Sequence, residues 1–282
     1  LYFKNWLIPD EERMMFSKKI HLNPFLYIPF VLALTWTPWL LAVSTGRGIE
    51  NLAVKVLLLA GLLVPAAVAL AFILLSEDAE YHWDYWRRVF DPTLISSGSW
   101  RVIFLLPPAL TLVAILLSFL LGESLGQLRL VPQVRAHIPS ILVFIFYTFF
   151  IGPFPEELGW RGYWLDKLKS RMSGLQASLL IAAVWALWHI PLFMVKGYPL
   201  QAKAGNPLLL AFYFLDLFPK SVIFTYIFYK NQRSTLAAIL FHFMINFTGQ
   251  LFELAPLTEG LVTALYLLAA IFLAVRNREL FQ

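Results

Sequence analysis

The chain has no cysteine, which excludes disulfides, thiolate metal sites and a cysteine nucleophile and leaves the redox compartment unreadable. It is also poor in charge. Only 14% of its 282 residues are Asp, Glu, Lys or Arg, whereas 60% are hydrophobic, and a water-exposed surface built from that composition would associate with itself. Lipid is therefore the expected solvent. The net charge of +5 does not point to nucleic acid, because the basic residues lie between apolar runs rather than in one stripe. No internal repeat, low-complexity tract or linker interrupts the chain, so residues 1–282 read as a single transmembrane domain. The first residue is Leu1 rather than methionine, which leaves a signal peptide unreadable. The terminal Glu279-Leu280-Phe281-Gln282 reads as a vector or protease-site remnant and carries no argument.

What the chain does have is long apolar stretches. A hydrocarbon core of roughly 30 Å takes about 20 apolar residues per helix, and that ruler gives about eight spans. They are expected at residues 24–45, 52–75, 101–121, 138–168, 174–195, 207–229, 234–254 and 256–275. The fold class is thus an all-α polytopic transmembrane helical bundle. Glu77 to Asp91 mixes Trp83, Tyr85 and Trp86 with acids and Arg87-Arg88, the pattern of an amphipathic helix lying at headgroup level. The stretch before Pro24, with Asp10-Glu11-Glu12 and Lys18-Lys19, reads the same way.

With eight spans, the 22 Lys and Arg residues divide unequally. One side receives fourteen of them, among them Arg87, Arg88, Lys167, Arg171 and Arg233; the other has Arg47, Lys55, Arg129, Arg135, Lys196 and Lys203. The two left over (22 − 14 − 6) are Arg161 and Lys220, inside spans. Because the cytoplasmic side carries the excess, both termini are expected in the cytoplasm, in a plasma or inner membrane.

An ionisable group within a membrane helix costs about 2.5 to 3.5 kcal/mol on insertion scales, so each needs a reason. Pro155-Glu156-Glu157-Leu158-Gly159-Trp160-Arg161 sets two carboxylates and a guanidinium at the end of an apolar run. On a helix Glu157 and Arg161 share a face, while Glu156 points about 100° away and is left free to act as a general base. A structural ion-pair cluster would explain Glu157 and Arg161 but not the second acid. His189 sits in the fifth span, and alone it reads as a satisfied core histidine. If the fourth and fifth spans form a hairpin turning near Arg171 to Gly174, however, Glu156 and His189 lie at the same depth.

In the seventh span His242 and Asn246 stack on one face. Both can donate hydrogen bonds, as a developing oxyanion requires, although a polar pair joining two helices would look alike. Asp216 and Lys220 in the sixth span read as an internal, structural ion pair.

Glu156-Glu157 with Arg161, then His189, then His242 with Asn246 resembles the three motifs of the CAAX protease and bacteriocin-processing family. That family's pattern is two glutamates with an arginine four after the second, an aromatic four before a histidine, and a histidine four before an asparagine. The aromatic here is Trp185 where phenylalanine is usual. The resemblance covers about the third quarter of the chain and says little about the first three spans or the last. It implies an intramembrane endopeptidase whose cavity opens to the cytoplasm. Its partners would be the lipid bilayer and a peptide or lipidated-protein substrate; the eukaryotic branch removes the last three residues of prenylated CAAX tails.

By similarity, Glu156 and His189 activate a water, His242 and Asn246 stabilise the oxyanion, and Arg161 orients the carboxylates, with no cofactor. A zinc-dependent version would use Glu156, His189 and His242 as ligands, against which stands the absence of a compact His-x-x-x-His pair. A non-proteolytic scaffold or chaperone of the same fold is the alternative from another class. A proton-coupled transporter would need inverted repeats that the chain lacks. Oligomeric state and physiological substrate are not legible.

Overall fold

A computed structural model describes residues 22–282. Among the described residues the chain is helical throughout, and the one β contact is an isolated bridge between Leu130 and Phe252. The expected interfacial stretch around Asp10-Glu11-Glu12 and Lys18-Lys19 lies outside the described residues. Helix α1 spans Tyr27–Ser44, α2 Leu52–Leu62, α3 Val64–Ser76, α4 Ala79–Phe90 and α5 Ser97–Leu120. Next come α6 Ser140–Phe150 and α7 Pro153–Gly159, the latter running on through a π turn at Trp160–Leu165 to Lys169. The bundle is completed by α8 Gly174–His189, α9 Pro207–Lys230, α10 Thr235–Leu251 and α11 Pro256–Arg276.

Among the described residues six helices are long and apolar enough to cross a membrane, and the bent pair α2 and α3, kinked by 41°, makes a seventh. The remaining expected span, the seventh in the chain, is α10. At 17 residues it falls short of the roughly 30 Å needed to cross alone. Much of α10 is instead enclosed by protein: Ala237, Ala238, Ile239, Phe241 and His242 are all buried. A helix with that surround is not restricted to apolar residues, which lets it carry polar groups into the interior.

The expected fourth span is the largest departure. It runs from Ser140 to Lys169 but breaks at Gly152, whose φ of +144° only glycine adopts without strain. Gly152 precedes Pro153, and Pro155 follows. Proline disfavours helical geometry in the residue before it and has no N–H to give, so the helix must restart there. Glu156 and Glu157 therefore lie in the first turns of a new helix rather than at the end of the old one.

The amphipathic segment is as expected. Asp78 caps α4 by accepting from the Tyr81 N–H, and the helix buries Tyr85, Arg88 and Val89 while leaving Trp83, Trp86 and Phe90 exposed. At its far end the Thr93 hydroxyl and N–H donate to Asp91 and hold that carboxyl below its usual range. The terminal residues, by contrast, are part of the packing. Phe281 is buried in the core, and Lys169 Nζ donates to the Gln282 carbonyl at 2.9 Å.

Two contacts fix the helix that carries His189. Ser173 and Gln176 form a reciprocal capping box at its start, which makes Ser170 to Ser173 the hairpin turn. Toward its end Trp188 Nε1 donates to Thr35 Oγ1 at 2.9 Å, and Thr35 donates to the Gly61 carbonyl at 3.2 Å, joining α8 to α1 and α2. The close approach depends on Gly61, since a Cβ there would lie 2.2 Å from Trp39 Nε1. Trp39 has little room to yield, being buried and packed 4.6 Å from Trp188. Gly61→Val should therefore be net destabilising by about 1 to 3 kcal/mol from overpacking, because the few tenths gained in helix propensity do not offset the clash. The unfolding temperature in detergent measures it.

Candidate active site

Glu157 is the centre of the polar cluster. Its carboxylate, fully buried, accepts from Arg161 Nη1 at 2.9 and 3.1 Å and from His242 Nδ1 at 2.8 Å. Arg161, equally buried, also reaches Ser221 Oγ at 3.4 Å and lies over the Phe224 ring at 4.0 Å. A buried ion pair needs further partners to offset its desolvation, and here the His242 imidazole, the Ser221 hydroxyl and the Phe224 face supply some of them, while Arg161 Nε keeps no hydrogen bond. The cluster joins α7, its π turn, α9 and α10.

Glu156 projects elsewhere, as the helical offset requires. It forms no ion pair among the described residues, and its Oε2 accepts from Trp185 Nε1 at 2.7 Å. Trp185 also serves His189, whose Nδ1 lies 2.8 Å from the Trp185 carbonyl. A carbonyl only accepts, so in neutral His189 the proton is on Nδ1 and the Nε2 lone pair is free. One residue thus holds both members of the expected acid-base pair: its indole holds the carboxylate and its backbone holds the imidazole. The hairpin argument placed Glu156 and His189 at one depth, and Trp185 joins them there.

The imidazoles are framed by aromatic rings. Trp185 lies between them, with ring centroids 5.8 Å from His189 and 5.3 Å from His242. Trp188 and Tyr213 meet His189 edge-on at 4.7 and 5.5 Å, and Phe224 flanks His242 at 5.4 Å. Such walls hold each ring's orientation and exclude bulk water.

Asn246 completes the site one turn beyond His242. A Cβ built on Gly152 would lie 3.6 Å from Asn246 Nδ2 and 3.6 Å from Glu156 Oε1, with no other atom so near. The break in the fourth span thus brings a carboxylate oxygen and a side-chain amide nitrogen within van der Waals reach of the same point beside Gly152. Asp216 and Lys220 pair as expected, with the ammonium 4.9 Å from the Tyr266 ring centroid. That pair ties α9 to α11.

All six residues singled out from the sequence therefore lie in or beside one cluster. Gly152 is a contributor outside the motifs, and Trp185, present in them only as the aromatic before His189, is the residue that bonds Glu156. The i, i+4 spacing of Trp185 and His189 and the Gly-Pro dipeptide were the available signals. Among the described residues no group of three or more His, Asp or Glu side chains is arranged to hold a metal ion. Glu156 Oε2 and His242 Nδ1 are already engaged by Trp185 and Glu157.

The family model described as Type II CAAX prenyl endopeptidase Rce1-like matches residues 138–248, the stretch that holds all three motif segments. A curated protein of Methanococcus maripaludis named CAAX prenyl protease 2 is 32% identical to this chain over 265 residues. The match takes in 92% of this chain and 96% of that protein, so the likeness includes the outer helices that carry no motif. With apolar helices long enough to cross a bilayer several times and a relative alike along nearly its whole length, the chain belongs to the type II CAAX prenyl endopeptidase family and is a multi-pass membrane peptidase.

Proposed function

We propose that this peptidase hydrolyses its peptide bond with a water activated jointly by Glu156 and His189, the reaction centring beside Gly152, where Glu156 and Asn246 converge. The observation that carries this reading is the convergence of a Glu156 carboxylate oxygen and the Asn246 amide nitrogen on one point beside Gly152. Glu156 Oε1 or the free His189 Nε2 takes a proton from water, and the hydroxide attacks the scissile carbonyl carbon. The carbonyl oxygen becomes an oxyanion that Asn246 Nδ2 stabilises by donating a hydrogen bond. His242 joins it, its ring held in place by the Nδ1 bond to Glu157. The tetrahedral intermediate collapses as the C–N bond breaks, and the proton first removed from water passes to the departing amine. The products are a carboxylate and an amine, with no covalent intermediate and no step through a metal.

Arg161 and Glu157 act on the reaction through His242, and Trp185 acts through Glu156 and His189. The substrate class follows from the relatives' names together with the site's setting among membrane helices: a C-terminal peptide whose prenyl group keeps it in the bilayer, cut to release the last three residues. The Lys and Arg bias favours a cytoplasmic turn at Ser170 to Ser173, the side on which such a lipidated tail would reside.

Purified protein in liposomes should cleave a quenched farnesylated CAAX peptide. Glu156→Ala and His189→Ala should each lower turnover by at least about 10²-fold, the usual scale of general acid-base catalysis. A zinc chelator should leave the wild-type rate unchanged; loss of activity with chelator would replace the water route with a metal one. Equal cleavage of farnesylated and unlipidated peptides would contradict the proposed substrate class.

Orientation has a separate test, because a chain without cysteine can be given single reporters. A membrane-impermeant maleimide applied to intact cells should label Ala204→Cys and spare Ser170→Cys. The reverse pattern would invert the topology.

A further inference from the structure

The interfacial helix α4 touches the catalytic helix at two backbone points that the reaction scheme does not use. Tyr85 and Arg88 lie three residues apart on the buried face of α4, the spacing at which side chains project side by side. The Tyr85 hydroxyl donates to the Leu158 carbonyl at 2.9 Å, and Arg88 Nη1 donates to the Gly162 carbonyl at 3.1 Å. These carbonyls belong to the residues directly after Glu157 and Arg161. The peptide units that aim the buried carboxylate and its guanidinium are therefore each fastened from outside.

The fastened stretch is irregular. Residues Trp160–Leu165 form a π turn, a helix form that persists only where its surroundings hold it and that often marks functional sites. Changing from the α to the π ladder leaves backbone groups poorly matched, and a side-chain donor on such a carbonyl stabilises the irregular form over a regular helix. Regularising the turn would rotate Arg161 relative to Glu157. Contact here is close: a Cβ at Gly162 would lie 3.2 Å from Tyr85 Cε2 and 3.3 Å from Thr235 Cγ2.

The clamp is itself braced. Arg88 Nε pairs with Asp84 at 2.9 Å, Asp84 meets Arg233 at 3.4 Å, and Arg233 forms a forked pair with Asp166, immediately beyond the π turn. Burial pushes the pKa of the Tyr85 phenol up, which keeps it an O–H donor across the working pH range.

We propose that Tyr85 and Arg88 are positioning residues for peptide hydrolysis, holding the π turn so that Glu157 and Arg161 keep His242 in register with Glu156. This rests on the reaction scheme above. The deciding variant is Tyr85→Phe, which removes one oxygen and keeps the ring packing. With the farnesylated peptide, kcat should fall about tenfold while KM changes less than about twofold, since displacing a group in the reacting layer costs rate rather than binding. The unfolding temperature should stay within a few degrees of wild type. Arg88→Gln should act in the same direction, whereas Trp83→Phe, on the exposed face of the same helix, should keep wild-type kinetics.

An unchanged kcat in both Tyr85→Phe and Arg88→Gln would overturn the proposal, with or without a lower unfolding temperature, because the contacts would then serve stability alone. A rise in KM at constant kcat would overturn it too. Glu156→Ala in the same assay separates the two claims. If it is inactive while Tyr85→Phe is normal, the clamp fails and the reaction scheme stands; if it is active, the reaction scheme itself fails.

Discussion

A carboxylate buried among apolar side chains must be neutralised in place, and in this bundle that requirement falls on Glu157. Arg161 supplies the charge and His242 a second hydrogen bond, so two groups from two separated segments are bound to one pair of oxygens. Breaking a buried pair by removing one partner costs about 3 to 5 kcal/mol, because the other charge is left without compensation. That asymmetry makes the cluster a strong constraint on helix packing even where its net contribution to stability is small. It sets the rotation of α7 and α10 about their axes, and those rotations decide where Glu156 and Asn246 point.

The remaining architecture reads as support for that constraint. Helix α8 is pinned at one end by its capping box and near the other by the chain from Trp188 through Thr35 to Gly61, which holds Trp185 within reach of Glu156. Ser221 on α9 adds a third helix to the Arg161 contacts, and the Asp216 to Lys220 pair with Tyr266 fixes α9 against α11. The two buried carboxylates thus divide by neighbours alone. One is saturated by a cation and an imidazole. The other keeps a single neutral donor and so has an oxygen available for chemistry.

Much of this was legible in the sequence, for reasons that differ by residue. The pairing of Glu157 with Arg161 and the shared face of His242 and Asn246 follow from helical spacing, and so do the separate directions of the two glutamates. The hairpin symmetry of Glu156 and His189 about residues 170–173 is also a local argument. The bond between Glu157 and His242, across 85 residues, depends on how helices pack and has no local signature. Trp185 stood out only as a tryptophan where the family usually has phenylalanine; its indole N–H, which phenylalanine lacks, becomes meaningful once Glu156 is opposite. Gly152 lay inside an apolar run long enough to pass for one span, and the Gly-Pro break was outweighed by length and hydropathy. The short α10 was likewise read as a full span because periodicity does not distinguish lipid from protein as its surround.

The central claim, that Glu157 builds the site and Glu156 works in it, is tested most directly by measuring turnover and unfolding temperature side by side for Glu156→Gln and Glu157→Gln. Glutamine keeps the shape and removes the charge, so the two variants differ only in which role is lost. Glu156→Gln should abolish turnover with an unfolding temperature close to wild type, whereas Glu157→Gln should lower both, leaving Arg161 buried without its counter-ion. A stable and active Glu157→Gln, or a Glu156→Gln as destabilised as its neighbour, would contradict that division of roles.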